Sequence, residues 1–276
     1  MRWIFALTPL LVALLLPASH AQGPRLIFDT HLHYQPSHAE RFEPEAIVAK
    51  FDRSGVQRAL VTSRDPALLE ELMQLAPGRI VPFLDVYAGL ANRLGWVREP
   101  DLPGRVRAQI ETGLATGEWA GIGELHIFAG DRQKQTFKAL IAIADEFSLP
   151  VMIHGDPAVI DHAYELHPEL RILWAHAGTF PYPPLVRDYL NRYPNLYVDL
   201  SMRSDRLNAE VPIPEEWELL LIDHASRFMV GVDTFSLRRW QAFDQHVAEI
   251  HSWLEQLPDD VAEQIAFANA QRLFPE

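Results

Sequence analysis

Cysteine is absent from the chain. That excludes disulfides and zinc–thiolate sites, so any metal must sit on nitrogen and oxygen ligands. It also excludes a lipid anchor at a bacterial cleavage site, which needs a cysteine. Long hydrophobic runs are scarce too. The stretch from Ile4 to Leu16, interrupted by Thr8 and Pro9, is shorter than the roughly 20 apolar residues of a bilayer span. With Arg2 before it and Ser19-His20-Ala21 after it, it reads as a signal peptide, 1–21, cleaved before Gln22. The expected location is therefore periplasmic or secreted, in a bacterium, with no membrane anchor after cleavage. Positive charge is the third deficit: 24 Lys and Arg stand against 37 Asp and Glu, a formal net charge of −13. Nucleic acid held through its phosphates needs a basic surface, so it is excluded as a partner. A small anionic substrate gripped by local arginines is not.

What is present is an alternation. Arg25–His33, Arg58–Ser63, Ile80–Asp85, Ala120–His126, Val151–Gly155, Arg171–Ala177, Asn195–Ser201 and Phe228–Thr234 read as eight buried strands. Most are near-continuous Val, Ile, Leu and Phe, the pattern of parallel strands covered on both sides. Helices are expected over Pro44–Ser54, Pro66–Leu75, Pro103–Thr116, Arg132–Phe147, Pro157–Leu166, Pro184–Arg192 and Glu215–His224. Several begin with proline, whose missing N–H costs nothing in a first helical turn. Leu237–Gln256 and Asp259–Leu273 follow the last strand. Eight strand–helix units in a chain of this length predict a (β/α)₈ TIM barrel, a single α/β domain over 22–276. A doubly wound sheet would carry a glycine-rich first turn, and here the first strand ends in Asp29-Thr30-His31-Leu32-His33. The long connections Val86–Leu102 and Met202–Pro214 leave C-terminal strand ends and are candidate lids.

The chemistry-bearing residues gather at those strand ends. His31 and His33 close strand one, Glu124 and His126 strand four, His154 strand five, His176 strand six and Asp233 strand eight. Side chains alternate along a strand, so His31 and His33 share a face, as do Glu124 and His126. Barrel closure brings strand ends around one axial cavity. A lone strand-end histidine is usually structural, but ligand-type side chains on five strand ends form a set suited to Zn²⁺, Mn²⁺, Fe²⁺ or Ni²⁺. His38, His162, His167, His224, His246 and His251 fall in expected helices or loops and read as surface or capping residues.

These segments resemble the amidohydrolase superfamily, in particular its amidohydrolase-related branch of metal-dependent hydrolases and decarboxylases. The matching runs are Phe28-Asp29-Thr30-His31-Leu32-His33, Gly121-Ile122-Gly123-Glu124-Leu125, Val151-Met152-Ile153-His154 and Ile172-Leu173-Trp174-Ala175-His176-Ala177-Gly178. Gly231-Val232-Asp233-Thr234 and Asn269-Ala270-Gln271-Arg272-Leu273-Phe274 complete them. The resemblance implies that His31, His33 and Asp233 hold the more buried metal, with His154 a further ligand. By the same resemblance, His176 either binds a second metal or stays free as an electrophile and proton carrier. Glu124 matches the carboxylate that bridges two metals in TatD-type nucleases and some lactonases. Elsewhere in the superfamily a carboxylated lysine does this, but Lys134 and Lys138, the nearest lysines, lie in an expected helix. Glu124 could instead hydrogen-bond a ligand histidine, and His126 is its rival on the same face.

The expected cofactor is one or two divalent metals per chain, zinc first, with Mn, Fe or Ni as alternatives. The expected reaction is attack of an activated water on an ester, lactone, amide or phosphoester. Asp233 would be the base, and His176 would stabilise the oxyanion. Arg203, His126 and Trp96 are the expected substrate contacts, with Arg98, Arg206 and Tyr182 as further loop candidates. A small-molecule substrate, and further copies of the chain in a homo-oligomer, are the partners in view. Two other readings stay open: a non-oxidative metal-dependent decarboxylase resembling aminocarboxymuconate semialdehyde decarboxylase, and a non-catalytic periplasmic binding protein.

Overall fold

The computed structural model describes residues 25–87, 92–208 and 210–275; the expected signal peptide, 1–21, lies outside them. Eight parallel strands pair in sequence order: β1 (Ile27–His33), β2 (Val56–Ser63), β3 (Ile80–Leu84), β4 (Gly121–Ile127), β5 (Val151–Gly155), β6 (Ile172–Trp174), β7 (Leu196–Asp199) and β8 (Phe228–Met229). The segment after β8 is tied back to β1 by single bonds. Thr30 N donates to Val230 O at 2.9 Å, and Asp233 N to His31 O at 2.6 Å. The expected (β/α)₈ barrel is what the chain forms.

Between the strands lie α1 (Pro36–Ala39), α2 (Pro44–Ser54), α3 (Pro66–Leu75), α4 (Leu102–Thr112), α5 (Gln135–Glu146), α6 (Pro157–Leu166), α7 (Pro183–Arg192) and α8 (Glu215–Asp223). Proline stands in the first turn of α2, α3, α6 and α7, which fixes where each helix leaves its loop. Gly55, left-handed at φ 77°, closes α2, a conformation only glycine adopts without cost. Two expected C-terminal helices are interrupted. Leu237–Gln256 divides at Ala242 into α9 (Leu237–Gln241) and α10 (Phe243–Leu254). Asp259–Leu273 is α11 (Asp259–Glu263) and α12 (Asn269–Leu273) joined by a π-helical turn, Gln264–Ala268.

Apolar packing falls into two layers. The larger joins the outer faces of the strands to the helices and includes Ile27, Leu32, Val61, Phe137 and Trp174. The smaller is drawn from the inner faces: Phe28, Leu60, Phe83, Met152, Leu173 and Met229, closed below by Phe274. Strand β1 changes phase between these layers. Ile27 and Leu32 face the helices, and Phe28 faces inward, so strict alternation fails between them. The register shift between Asp29 and Leu32 supplies the missing step, as a bulge does. Strand β4 carries a similar shift between Ile122 and Leu125. At these shifted strand ends, His31 and His33, and Glu124 and His126, share the inner face as alternation predicts.

The last three strands are shorter than expected, because their ends bend to aim side chains at the axis. After β6 the chain turns through Ala175–Ala177, with His176 left-handed at φ 59°. After β8 it runs irregularly to Asp233, at φ 58°. Left-handed backbone at non-glycine residues is costly, and it clusters where surrounding structure holds it for function. Arg239 holds the second case in place. Its Nε donates to Asp233 O at 2.7 Å, and its guanidinium also reaches Val232 O.

Candidate metal centre

Four imidazoles at the C-terminal rim are tied outward through Nδ1, and hydrogen-bond counting sets their tautomers. His31 Nδ1 lies 2.8 Å from Asp199 Oδ2. A carboxylate only accepts, so the hydrogen is on Nδ1. Thr62 Oγ1 lies 3.3 Å from Leu32 O and 2.7 Å from His33 Nδ1, and with its hydrogen on the carbonyl it accepts from the ring. Ser201 Oγ donates to Asp199 Oδ2 at 2.5 Å and accepts from His176 Nδ1 at 2.8 Å. Tyr87 gives its hydrogen to Glu124 O at 2.6 Å, leaving its oxygen to accept from His126 Nδ1 at 3.1 Å. Each of these rings therefore turns Nε2 toward the axis, where a proton or a cation can occupy it.

Those nitrogens meet carboxylates. His31 Nε2 is 3.5 Å from Glu124 Oε2 and 3.7 Å from Asp233 Oδ1. His33 Nε2 is 3.4 Å and 3.3 Å from the same two atoms. Such pairs of acceptors repel unless a proton or cation lies between them. Ligands about 2.1 Å from a tetrahedral ion sit about 3.4 Å from one another, which matches these separations. His31 Nε2 and Asp233 Oδ1 are buried and have no hydrogen-bond partner. These orphaned atoms, and the nitrogen–oxygen donor set, fit a divalent cation.

Around that centre, Glu124 Oε1 lies 2.9 Å from His154 Nδ1 and 3.3 Å from His176 Nε2. Burial by itself would raise the Glu124 carboxyl, but His31 and His126 beside it hold it well below the ordinary range. Asp233 is likewise lowered against its burial, chiefly by His31 and His33. Burial would lower His33, yet its contacts with Asp233 and Glu124 push it up to about 9. Burial wins at His126, lowered to about 3, so this ring is neutral. The site favours positive charge near Glu124 and Asp233.

A cavity of about 460 Å³ opens over the centre, lined by His33, His126, His154, His176, Arg203 and Asp233 among others. Of the expected substrate contacts, Arg203 and His126 face it and Trp96 does not. The Trp96 ring is fully buried, packed edge-on against Phe137 with Nε1 donating to His126 O. Arg98 is exposed and pairs weakly with Asp131 at 3.8 Å. Tyr182 and Arg206 line a separate surface groove beside Trp217. His38 and His162, expected at the surface or in caps, are 4% and 7% exposed. His38 does cap: its Nδ1 accepts from Gln35 N in the capping box of α1.

Residues that the sequence reading passed over complete the site. Asp199, 0% exposed, orients His31 and also accepts from the backbone N–H groups of Ser201 and His176. Asp199 and Ser201 stand two apart at the end of β7, the spacing of His31 and His33, and that was the available signal. Asp29 Oδ1 accepts from His31 N and Val232 N, each at 3.0 Å, joining the two ligand segments.

Known proteins resemble the chain in sequence and in fold. Residues 28–275 match the model of a family described as amidohydrolase. The Bacillus subtilis (strain 168) protein named uncharacterized metal-dependent hydrolase YabD is 24% identical over 268 residues, spanning 90% of this chain and 99% of its own length. The TatD homologue YJJV from Escherichia coli K12 superposes with a TM-score of 0.62 at 16% identity, over 91% of this chain and 98% of that one. A zinc-bound amidohydrolase from Burkholderia multivorans gives 0.56 at 15% identity, over 90% and 99%. The third such structure, a Pseudomonas putida protein assigned as a 2-pyrone-4,6-dicarboxylic acid hydrolase, gives 0.60 at 16%, over 92% and 98%. The family match runs from the first strand to the last helix and takes in every ligand-type side chain at the rim, and the chain therefore belongs to the amidohydrolase family of metal-dependent hydrolases.

Proposed function

We propose that this enzyme hydrolyses a small ester or lactone that carries a carboxylate, with a divalent cation, zinc first, held by His31, His33, Glu124 and Asp233. The observation that carries the substrate class is a pair of guanidinium groups in the cavity wall. Arg64 and Arg203 both line the cavity; the Nε of Arg203 is buried without a hydrogen-bond partner, and that of Arg64 also makes no hydrogen bond but pairs loosely with Asp85 Oδ2 at 3.8 Å. A buried donor left unpaired is costly, and a carboxylate matches the guanidinium fork. Arg93 adds a third cation to the wall, while Leu94, Phe128 and Phe235 give it apolar surface. A cavity of this size suits a small molecule.

When bound, the cation acidifies a water and polarises the carbonyl oxygen. Asp233 keeps Oδ2 turned from His33, 3.8 Å from His176 Nε2, and accepts the proton of the attacking water before giving it to the leaving oxygen. The oxyanion role expected of His176 needs a hydrogen at Nε2, and the hydrogen-bond count puts it at Nδ1, so we assign His176 to ligation or proton acceptance. Arg64, Arg93 and Arg203 hold the substrate's carboxylate and so set the distance of its carbonyl from the centre.

The test is a substrate screen on zinc-loaded and chelated protein, beginning with carboxylated lactones, the class named for the Pseudomonas putida neighbour, and their neutral analogues. Metal-dependent turnover that prefers the anionic member supports the proposal. Carbon dioxide release in place of ring opening or ester cleavage supports the decarboxylase reading instead.

A further inference from the structure

We infer that the surface groove beside Trp217 is a second substrate subsite, which takes an uncharged aryl arm of the molecule cleaved at the metal centre. The inference rests on the hydrolase reading above and deepens its substrate class, from a small carboxylated ester to an extended one. The groove encloses about 510 Å³ and lies where two helices begin. Tyr182 is the N-cap of α7, and Pro214 is that of α8. Buried Trp217 forms its floor, and Pro181, Pro183 and Pro214 stiffen its sides, so little order is lost when it fills. Phe180 and Tyr182 line it at 66% and 59% exposed, the two most exposed large apolar side chains among the described residues. Grouped apolar exposure of this kind marks a binding surface.

Two loops line both the groove and the cavity over the metal centre, and that continuity names the occupant. The loop after β6 puts His176 in the cavity and Phe180 and Tyr182 in the groove. The loop after β7 puts Met202 and Arg203 in the cavity and Arg206 in the groove. Strands β6 and β7 are neighbours, and Arg206 N donates to Arg203 O at 2.9 Å, so one turn of chain separates the two walls. The cavity lining is apolar and exposed at Leu94, Phe128, Met202 and Phe235. Charge sets the direction of the bound molecule. Apart from the metal ligands, the cavity wall sets Arg64, Arg93 and Arg203 against Asp85 alone. At the groove, Arg206 has Asp205 beside it at 3.6 Å, and Glu215 and Glu216 stand exposed along the edge. A carboxylate is drawn to the cavity and repelled from the groove, which leaves the groove to an uncharged end. Its aromatic and proline faces favour a ring there.

The test uses zinc-loaded full chain, as wild type and as the double variant Phe180→Ser/Tyr182→Ser. Both replaced side chains are exposed, and circular dichroism checks that the fold is kept. The substrates are succinate half-esters of methanol, phenylethanol, phenylbutanol and phenylhexanol, each keeping one carboxylate and yielding succinate and the alcohol with one water. In wild type, kcat/KM rises at least about tenfold from the methyl ester to the best aryl ester, as burial of one ring gives. The double variant loses that gain. No gain in wild type at any length, or a gain kept in the double variant, overturns the subsite and leaves the hydrolase reading standing. If no half-ester is cleaved, the substrate reading fails, and binding of the uncharged dye phenylnaphthylamine, followed by fluorescence, decides the groove separately. Binding that weakens at least about tenfold in the double variant supports the subsite; equal binding, or none in wild type, overturns it. Sedimentation of both proteins tests the other occupant. A wild-type dimer that the double variant dissolves gives the groove to a second copy of the chain and overturns the proposal.

Discussion

Asp199 Oδ2 lies 2.8 Å from His31 Nδ1, and both side chains are wholly buried, one on β7 and the other on β1. This contact keeps a hydrogen on His31 Nδ1 and turns Nε2 toward the axis. Asp199→Asn offers an amide that can donate to Nδ1 and so favours the wrong tautomer. Zinc affinity by competition with a chromogenic chelator falls 10–100-fold, and excess metal restores part of the turnover. Unchanged affinity would show that Asp199 only packs.

Asp233→Asn keeps the shape of the side chain and loses the base. Turnover drops by about 10²–10⁴-fold in steady-state assays, while bound metal measured on the same sample is largely retained. Near-normal turnover removes Asp233 from proton transfer.

For Arg203→Met, the lost charge-assisted contact is worth about 1.5–3 kcal/mol, or roughly 10–100-fold in KM for a carboxylated substrate. The KM for the matching neutral ester stays put. Equal effects on both substrates would mean that Arg203 shapes the wall without reading charge.

Gly231→Ala tests how tightly the centre is packed. A Cβ there would lie 2.6 Å from Asp199 Oδ1 and 2.8 Å from His31 Cβ, both on fixed strands. Thermal unfolding should show a loss of about 1–3 kcal/mol, several degrees in Tm, together with lower metal content. A variant equal to wild type in both would mean that the β8 segment yields easily.

Much of this was legible in the chain, and the failures have physical causes. Helices α2, α3 and α6 match their expected spans residue for residue, because proline marks each start and the apolar rhythm runs unbroken to the end. The ligands were legible because they sit at strand ends in alternating pairs. The bulges in β1 and β4 were not, since one inserted phase step leaves no composition signal. Asp199 and Ser201 look like ordinary turn formers until the fold sets them beneath His31 and His176. Trp96 was assigned to the cavity on loop position alone, and only tertiary packing turns its ring onto Phe137.

The central claim is that the Nε2 atoms of His31 and His33, with Glu124 and Asp233, hold a divalent cation. Its most direct test is metal per chain by elemental analysis, on protein purified without chelator. The account predicts between one and two equivalents of a divalent transition metal, lost on dialysis against chelator and regained with Zn²⁺ or Mn²⁺. A chain that emerges metal-free and takes up neither ion would contradict it.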